Sequence, residues 1–136
     1  MSPTQQYFSN AVGSVNFVPA DGYLLLRWTG HSMTSPEFRA LYVHAHNLLL
    51  RHHLRGVLAD HRAMPAAPDP ADRTWLLHTW LPQAVAETEF RRYAVVPTLD
   101  PAHRLHTDVV KDEICRSVTT ELFAEVAAAV AWLRAA

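Results

Sequence analysis

Lysine is nearly missing from this chain: Lys111 stands alone beside eleven arginines. The arginine excess reads as a coding bias and not as a phosphate-binding signal, because the formal net charge is only −1. A balance so close to neutral gives no support for nucleic acid or an anionic membrane as partner. Cysteine is equally scarce. Cys115 is the single one, so an internal disulfide is excluded and a reducing compartment, the cytoplasm, is expected. No apolar run approaches the ~20 residues of a membrane-spanning helix. The opening "MSPTQQYF" has neither a basic start nor an apolar stretch, so no signal peptide is expected. With four glycines, there are few places for a tight oxyanion or phosphate loop. No G-x-S-x-G, glycine-rich phosphate loop or C-x-x-C is present. No cofactor is expected.

What the chain does have is a core. Hydrophobic residues make up 49% of 136 positions and charged residues only 18%, which fits one folded domain over residues 1–136. Histidine is abundant at nine, with four in "HAHNLLLRHH" (His44, His46, His52, His53). Below neutrality these would raise the net charge.

Periodicity divides the chain into elements. "YFSNAV", "SVNFVP" and "YLLLRW" are apolar, aromatic and β-branched, punctuated by Gly13 and by Asp21-Gly22. Their short gaps predict an antiparallel meander. From Ser35 the period changes. Thr34 or Ser35 can cap, Pro36 suits a first turn, and Glu37 can complete a capping box with Thr34. Phe38, Leu41, Tyr42, Ala45, Leu48 and Leu49 then follow a helical stripe, which Gly56 is expected to end. "GVLAD" predicts a buried strand. Asp69-Pro70-Ala71-Asp72 opens a second helix, with Asp69 as cap and a kink or early break expected at Pro82. "RRYAVVP" is the next strand, Asp100-Pro101 starts a third helix to about Cys115, "SVTTELF" is a last strand, and "AEVAAAVAWLRAA" a final helix. The order βββ-αβ-αβ-αβ-α predicts an α/β fold. Its mixed sheet would have an antiparallel N-terminal meander followed by parallel strands, flanked by about four helices.

The pieces "LLLRWTG", "MTSPEFRALYVHAHNLL", "GVLADHRAM", "PADRTWLLHTWLPQA", "RYAVVP" and "LFAEVAAAVAWL" occur in that order between Tyr23 and Leu133. In this layout the chain resembles the SpoIIAA-like (STAS/Sec14-domain-like) family of small bacterial proteins. The resemblance implies a mixed sheet flanked by helices. It also implies a non-catalytic binding or regulatory role, as in anti-sigma-factor antagonists switched by serine phosphorylation. The phosphoacceptor turn of those relatives corresponds to Asp60-His61-Arg62-Ala63-Met64-Pro65, which contains no serine. The phosphorylation switch therefore does not carry over.

Ligands of parallel sheets bind outside the carboxyl ends of the strands. That rule singles out Asp60, His61 and Arg62 at the end of "GVLAD", with Trp75 as a wall. Arg62 would clamp an anion and Asp60 would accept a hydrogen bond. The bland counterpart is an Asp60–Arg62 pair with Trp75 and Trp80, about 140° apart on an ideal helix, both in the core. An enzyme alternative makes His61 or His31 a base beside Asp60, with Ser32, Thr34, Ser35 or Cys115 as nucleophile or with metal assistance. For metal, His103 and His106 have helical spacing with Asp100 nearby. His46 and His53 would stand about 10.5 Å apart, too far for one ion. Val43 and Leu50, one heptad apart beside the main stripe, mark a margin that could join a homodimer. The balance favours a non-enzymatic regulatory or ligand- or protein-binding module, with an unknown small ligand or protein as partner.

Overall fold

The computed structural model describes residues 4–98 and 100–135, without the side chains of Ala102 and His103. Six strands form one sheet in the order β1-β2-β3-β4-β5-β6. β1 (Gln5–Ser9), β2 (Gly13–Val18) and β3 (Tyr23–Trp28) make the antiparallel meander. β4 (Gly56–Asp60), β5 (Arg92–Val96) and β6 (Thr119–Leu122) continue it in parallel. The fold class expected from the sequence is the one found.

Because strand order never reverses, right-handed crossovers place all connecting helices on one face. These are α1 (Ser35–His52), α2 (Pro70–Trp75) running on into α3 (Leu81–Glu87), and α4 (Pro101–Ile114). α5 (Val126–Arg134) follows β6 and packs on the other face, against β4 and β5. The pleat then explains the near-continuous apolar strands. On β3, Leu24, Leu26 and Trp28 join the large core under the crossover helices, whereas Tyr23 and Leu25 join the smaller cluster under α5. Val57 and Ala59 divide from Leu58 in the same way, and Tyr93 and Val95 from Ala94 and Val96. Each large side chain sealed there contributes about 1.5–3 kcal/mol.

Local chemistry sets most boundaries. Thr34 caps α1, accepting from the Glu37 amide at 3.4 Å and donating its hydroxyl to Glu37 Oε1 at 2.8 Å. The expected stripe from Phe38 to Leu49 is buried. The helix ends three residues before Gly56, however, at His53, which adopts the left-handed conformation with φ 54°. Leu54, fully buried, pulls the chain into the core at that point.

Two expectations for the second helix need correction. Asp69 occupies the cap position but makes no side-chain cap bond. Of the kink or early break expected at Pro82, the break does not occur, and the helix runs on to Glu87. A wide π-helical turn, Leu76–Trp80, precedes it, closed by the Leu81 amide on the Leu76 carbonyl. Widening the turn relieves the clash that a proline ring makes with the preceding turn.

Candidate site at the carboxyl edge

β4 lies between β3 and β5, and all five of its residues are buried. It delivers Asp60 to the carboxyl edge, in register with Arg27 of β3 and Val96 of β5. Asp60 shares the α5 face with Leu58. His61, one residue on, points to the opposite face. Its amide donates to the Val96 carbonyl at 2.9 Å, extending the ladder by one bond. Its ring lies under the crossover helices, with Nδ1 3.1 Å from Thr107 Oγ1 and the Trp28 ring edge-on at 5.2 Å. His61 and Thr107 are each only 2% exposed. Burial, reinforced by neighbouring His106 and opposed by Asp60, lowers the His61 pKa to about 3. The imidazole is therefore neutral at ordinary pH.

Asp60 is 4% exposed, and Arg62 meets it with a fork. Nε donates to Oδ1 at 2.9 Å and Nη2 to Oδ2 at 2.8 Å, while the Arg62 amide donates to Oδ1 at 3.2 Å. Burial pushes the Asp60 carboxyl upward, but these hydrogen bonds and the charges of Arg62 and Arg27 outweigh it, so its pKa lies below the usual carboxylate range. The bidentate bond fixes the guanidinium plane, while 57% of the Arg62 side chain stays exposed. A cleft of about 340 Å³ opens beside the pair, lined by Arg27, Trp28, Asp60, Arg62 and Ala63. Across Arg62, a second cleft is lined by Pro97, Thr98, Asp100 and Ala124.

Of the residues singled out in the sequence, the structure thus gathers Asp60 and Arg62. It sends His61 away through the pleat. It also keeps Trp75 apart. Trp75 is half-buried against the large core, with the Arg39 guanidinium 5.2 Å over its ring. Arg39 in turn donates to Asp72 Oδ1 at 2.8 Å, and Ser35 donates to the same oxygen at 2.5 Å. Trp75 lines no part of the Asp60 cleft. Trp80 is a core residue whose indole N–H donates to the Tyr42 carbonyl at 2.5 Å. The start of α2 does return over the carboxyl edge, but on the crossover-helix face, where Asp69 and Asp72 line a cleft with Ser32, Met33 and the 65–68 loop.

The candidate nucleophiles do not converge on His61. Thr34 caps α1 and Ser35 binds Asp72. Cys115 is exposed beside the Asp112 carbonyl, and His31 Nδ1 is bonded to the Ser32 carbonyl. His46 pairs with Glu87 at 2.9 Å and His53 with Glu89 at 2.8 Å, tying α1 to the end of α3. The side chain of His103 lies outside the described residues. Among the described residues, no group of three or more His, Cys, Asp or Glu is arranged to hold a metal ion.

Arg27 is the site residue that the linear reading missed. It is exposed within an otherwise buried strand. It makes no hydrogen bond or ion pair with the described residues, although its charge acts on Asp60. Period-2 counting along "YLLLRW" places it on the face of Tyr23 and Leu25. Its pairing with Asp60 depends on a register between strands separated by a whole helix.

No helix among the described residues is long and apolar enough to cross a membrane. No protein-family model, curated protein or solved structure matches the chain.

Proposed function

We propose that this protein is a non-enzymatic binding module of SpoIIAA-like type, acting in the cytoplasm and holding a small anionic ligand at the carboxyl edge of its sheet. The observation that carries this reading is the Asp60–Arg62 fork beside an unpaired Arg27. One buried carboxylate orients the first guanidinium and leaves the second surplus, so the cleft carries net positive charge. Oxyanions suit such a pair of planar donors. An enzyme built on His61 and Asp60 is less well supported. The two side chains occupy opposite faces, and the hydroxyl that His61 reaches among the described residues, on Thr107, is sealed from substrate.

Titration with inorganic phosphate, followed by amide chemical shifts, tests the reading. Shifts are expected at Trp28, Arg62 and Ala63, and their loss in Arg62→Gln. Phosphate that moves no amide at this edge, or that binds Arg62→Gln equally, overturns it.

A protein partner is the second reading, and a second copy of the chain is its simplest form. Val43 and Leu50 support it, being 47% and 51% exposed on α1. Sedimentation should then give twice the 15.3 kDa chain mass, and Leu50→Asp should return it to the monomer. A monomer at all concentrations removes this reading.

A further inference from the structure

Arg27 borders a second cleft besides the one it shares with Arg62. This groove, of about 440 Å³, runs between β3 and α5, with Tyr23, Leu25, Leu58, Val126 and Val130 as its apolar walls. Ala127 and Ala131 face it from the same helix and keep it open where larger side chains would fill it. Its two ends differ in charge. At the amino end of β3, Asp21 and Arg134 neutralise each other at 3.5 Å. At the carboxyl end stands Arg27, with no such partner among the described residues.

The direction of α5 adds to this polarity. Its last residue, Arg134, meets Asp21 at the start of β3, so its first turn lies at the Arg27 end. Glu125 precedes that turn without a side-chain cap bond. The first-turn amides, at the positive end of the helix dipole, therefore lack the acceptor a cap would supply. An unpaired arginine and an uncapped helix start thus share one end of an apolar groove.

We infer that the groove takes the apolar body of a compact organic anion, one or two rings bearing a carboxylate or phosphate, whose acid group sits between Arg27 and Arg62. The inference rests on the anion-binding reading above and names the ligand class. Length sets the compactness. Tyr23 and Arg27 are four residues apart, about 13 Å along an extended strand, and the ion pair stands at the far end. A long acyl chain overruns that span, whereas a fused aromatic pair fits. Drug-sized pockets of this kind combine apolar walls with a few placed polar groups.

Calorimetric titration of the full chain with 2-naphthoate, 2-naphthylmethanol, palmitate and inorganic phosphate tests it. Naphthoate should bind at least about tenfold more tightly than phosphate and than the neutral alcohol. Arg27→Gln should abolish the preference for the acid over the alcohol. Ala131→Leu, which fills the groove without touching core or charge, should weaken naphthoate and leave phosphate unchanged. Naphthoate no tighter than phosphate, or insensitive to Ala131→Leu, overturns the inference while the phosphate site stands. Palmitate binding as tightly as naphthoate overturns the size limit and with it the inference. Failure of phosphate and naphthoate alike overturns both this inference and the reading beneath it.

Discussion

Burial leaves His61 a single charge state over most of the pH scale, and that state is linked to stability. Its pKa falls from 6.5 to about 3 on folding, first through desolvation and then through His106. As pH drops below 6.5, the unfolded chain takes up a proton that the folded chain refuses. Stability therefore falls with acid, by up to about 1.4 kcal/mol per pH unit between those values. Urea midpoints for wild type and His61→Gln at pH 7.5, 6.0 and 5.0 should diverge, the wild type losing more. Parallel curves would mean that His61 titrates normally and is not sealed. The Asp60–Arg62 pair invites a different measurement, a double-mutant cycle with Asp60→Asn and Arg62→Gln. A coupling of about 1 kcal/mol is expected, because Arg62 is mostly exposed and solvent screens its end of the fork. A coupling of zero would make the fork a contact without energetic weight. That these two residues end a buried strand is legible in the sequence, since apolar Val57-Leu58-Ala59 stops at charge. That Asp60 and His61 diverge follows from the pleat alone. What no linear reading supplies is Arg27 as their neighbour, because sheet register joins residues with α1 between them.

Elements in this chain stop where the core demands, and the stop residue need not be the one with the best intrinsic preference. Intrinsic preference points to Gly56 as the end of α1, yet the left-handed residue that closes the helix is His53. Gly56 serves elsewhere. A Cβ there would meet Leu133 of α5 at 2.9 Å, so the glycine lets α5 lie close on β4. His53 therefore carries backbone strain that glycine would not. His53→Gly should raise stability by about 0.5–1 kcal/mol, even though it removes the exposed pair with Glu89, which contributes little. A fall in the denaturation midpoint would show that this ion pair outweighs the strain. The π-helical turn teaches the same lesson in another form. Proline at position 82 is visible in the sequence, but whether a helix breaks or widens depends on what must stay buried. Here Leu76, Leu77 and Trp80 are all core residues. A break would have pulled them apart, and one wide turn keeps them on the same side.

On the scale of the whole molecule the sheet is unevenly supported. Helices α1 to α4 cover one face, and among the described residues α5 is the helix that packs against the other. The hold on α5 is modest. Ala129 and Leu133 are its buried residues, and the Arg92 guanidinium donates to the Trp132 carbonyl at 2.7 Å while stacking on the Trp132 ring. The sheet beneath it is locked from the other side by Leu24, Leu26, Val57 and Tyr93, all buried in the larger core. Opening α5 consequently exposes less apolar surface than unfolding the sheet, and free energies of local opening follow the surface exposed. Native-state hydrogen exchange should therefore show the Val126–Arg134 amides opening at lower free energy than those of β3, β4 and β5. Leu133→Ala sharpens the test. Truncating a buried leucine costs about 2–5 kcal/mol, and in this position the loss should fall on the α5 opening. Openings of β4 that leave α5 closed should keep their wild-type free energy, and those that include α5 should fall by the same amount. If α5 and the strands instead exchange at one free energy, in wild type and in Leu133→Ala alike, the helix belongs to one cooperative core and the groove beneath it is rigid.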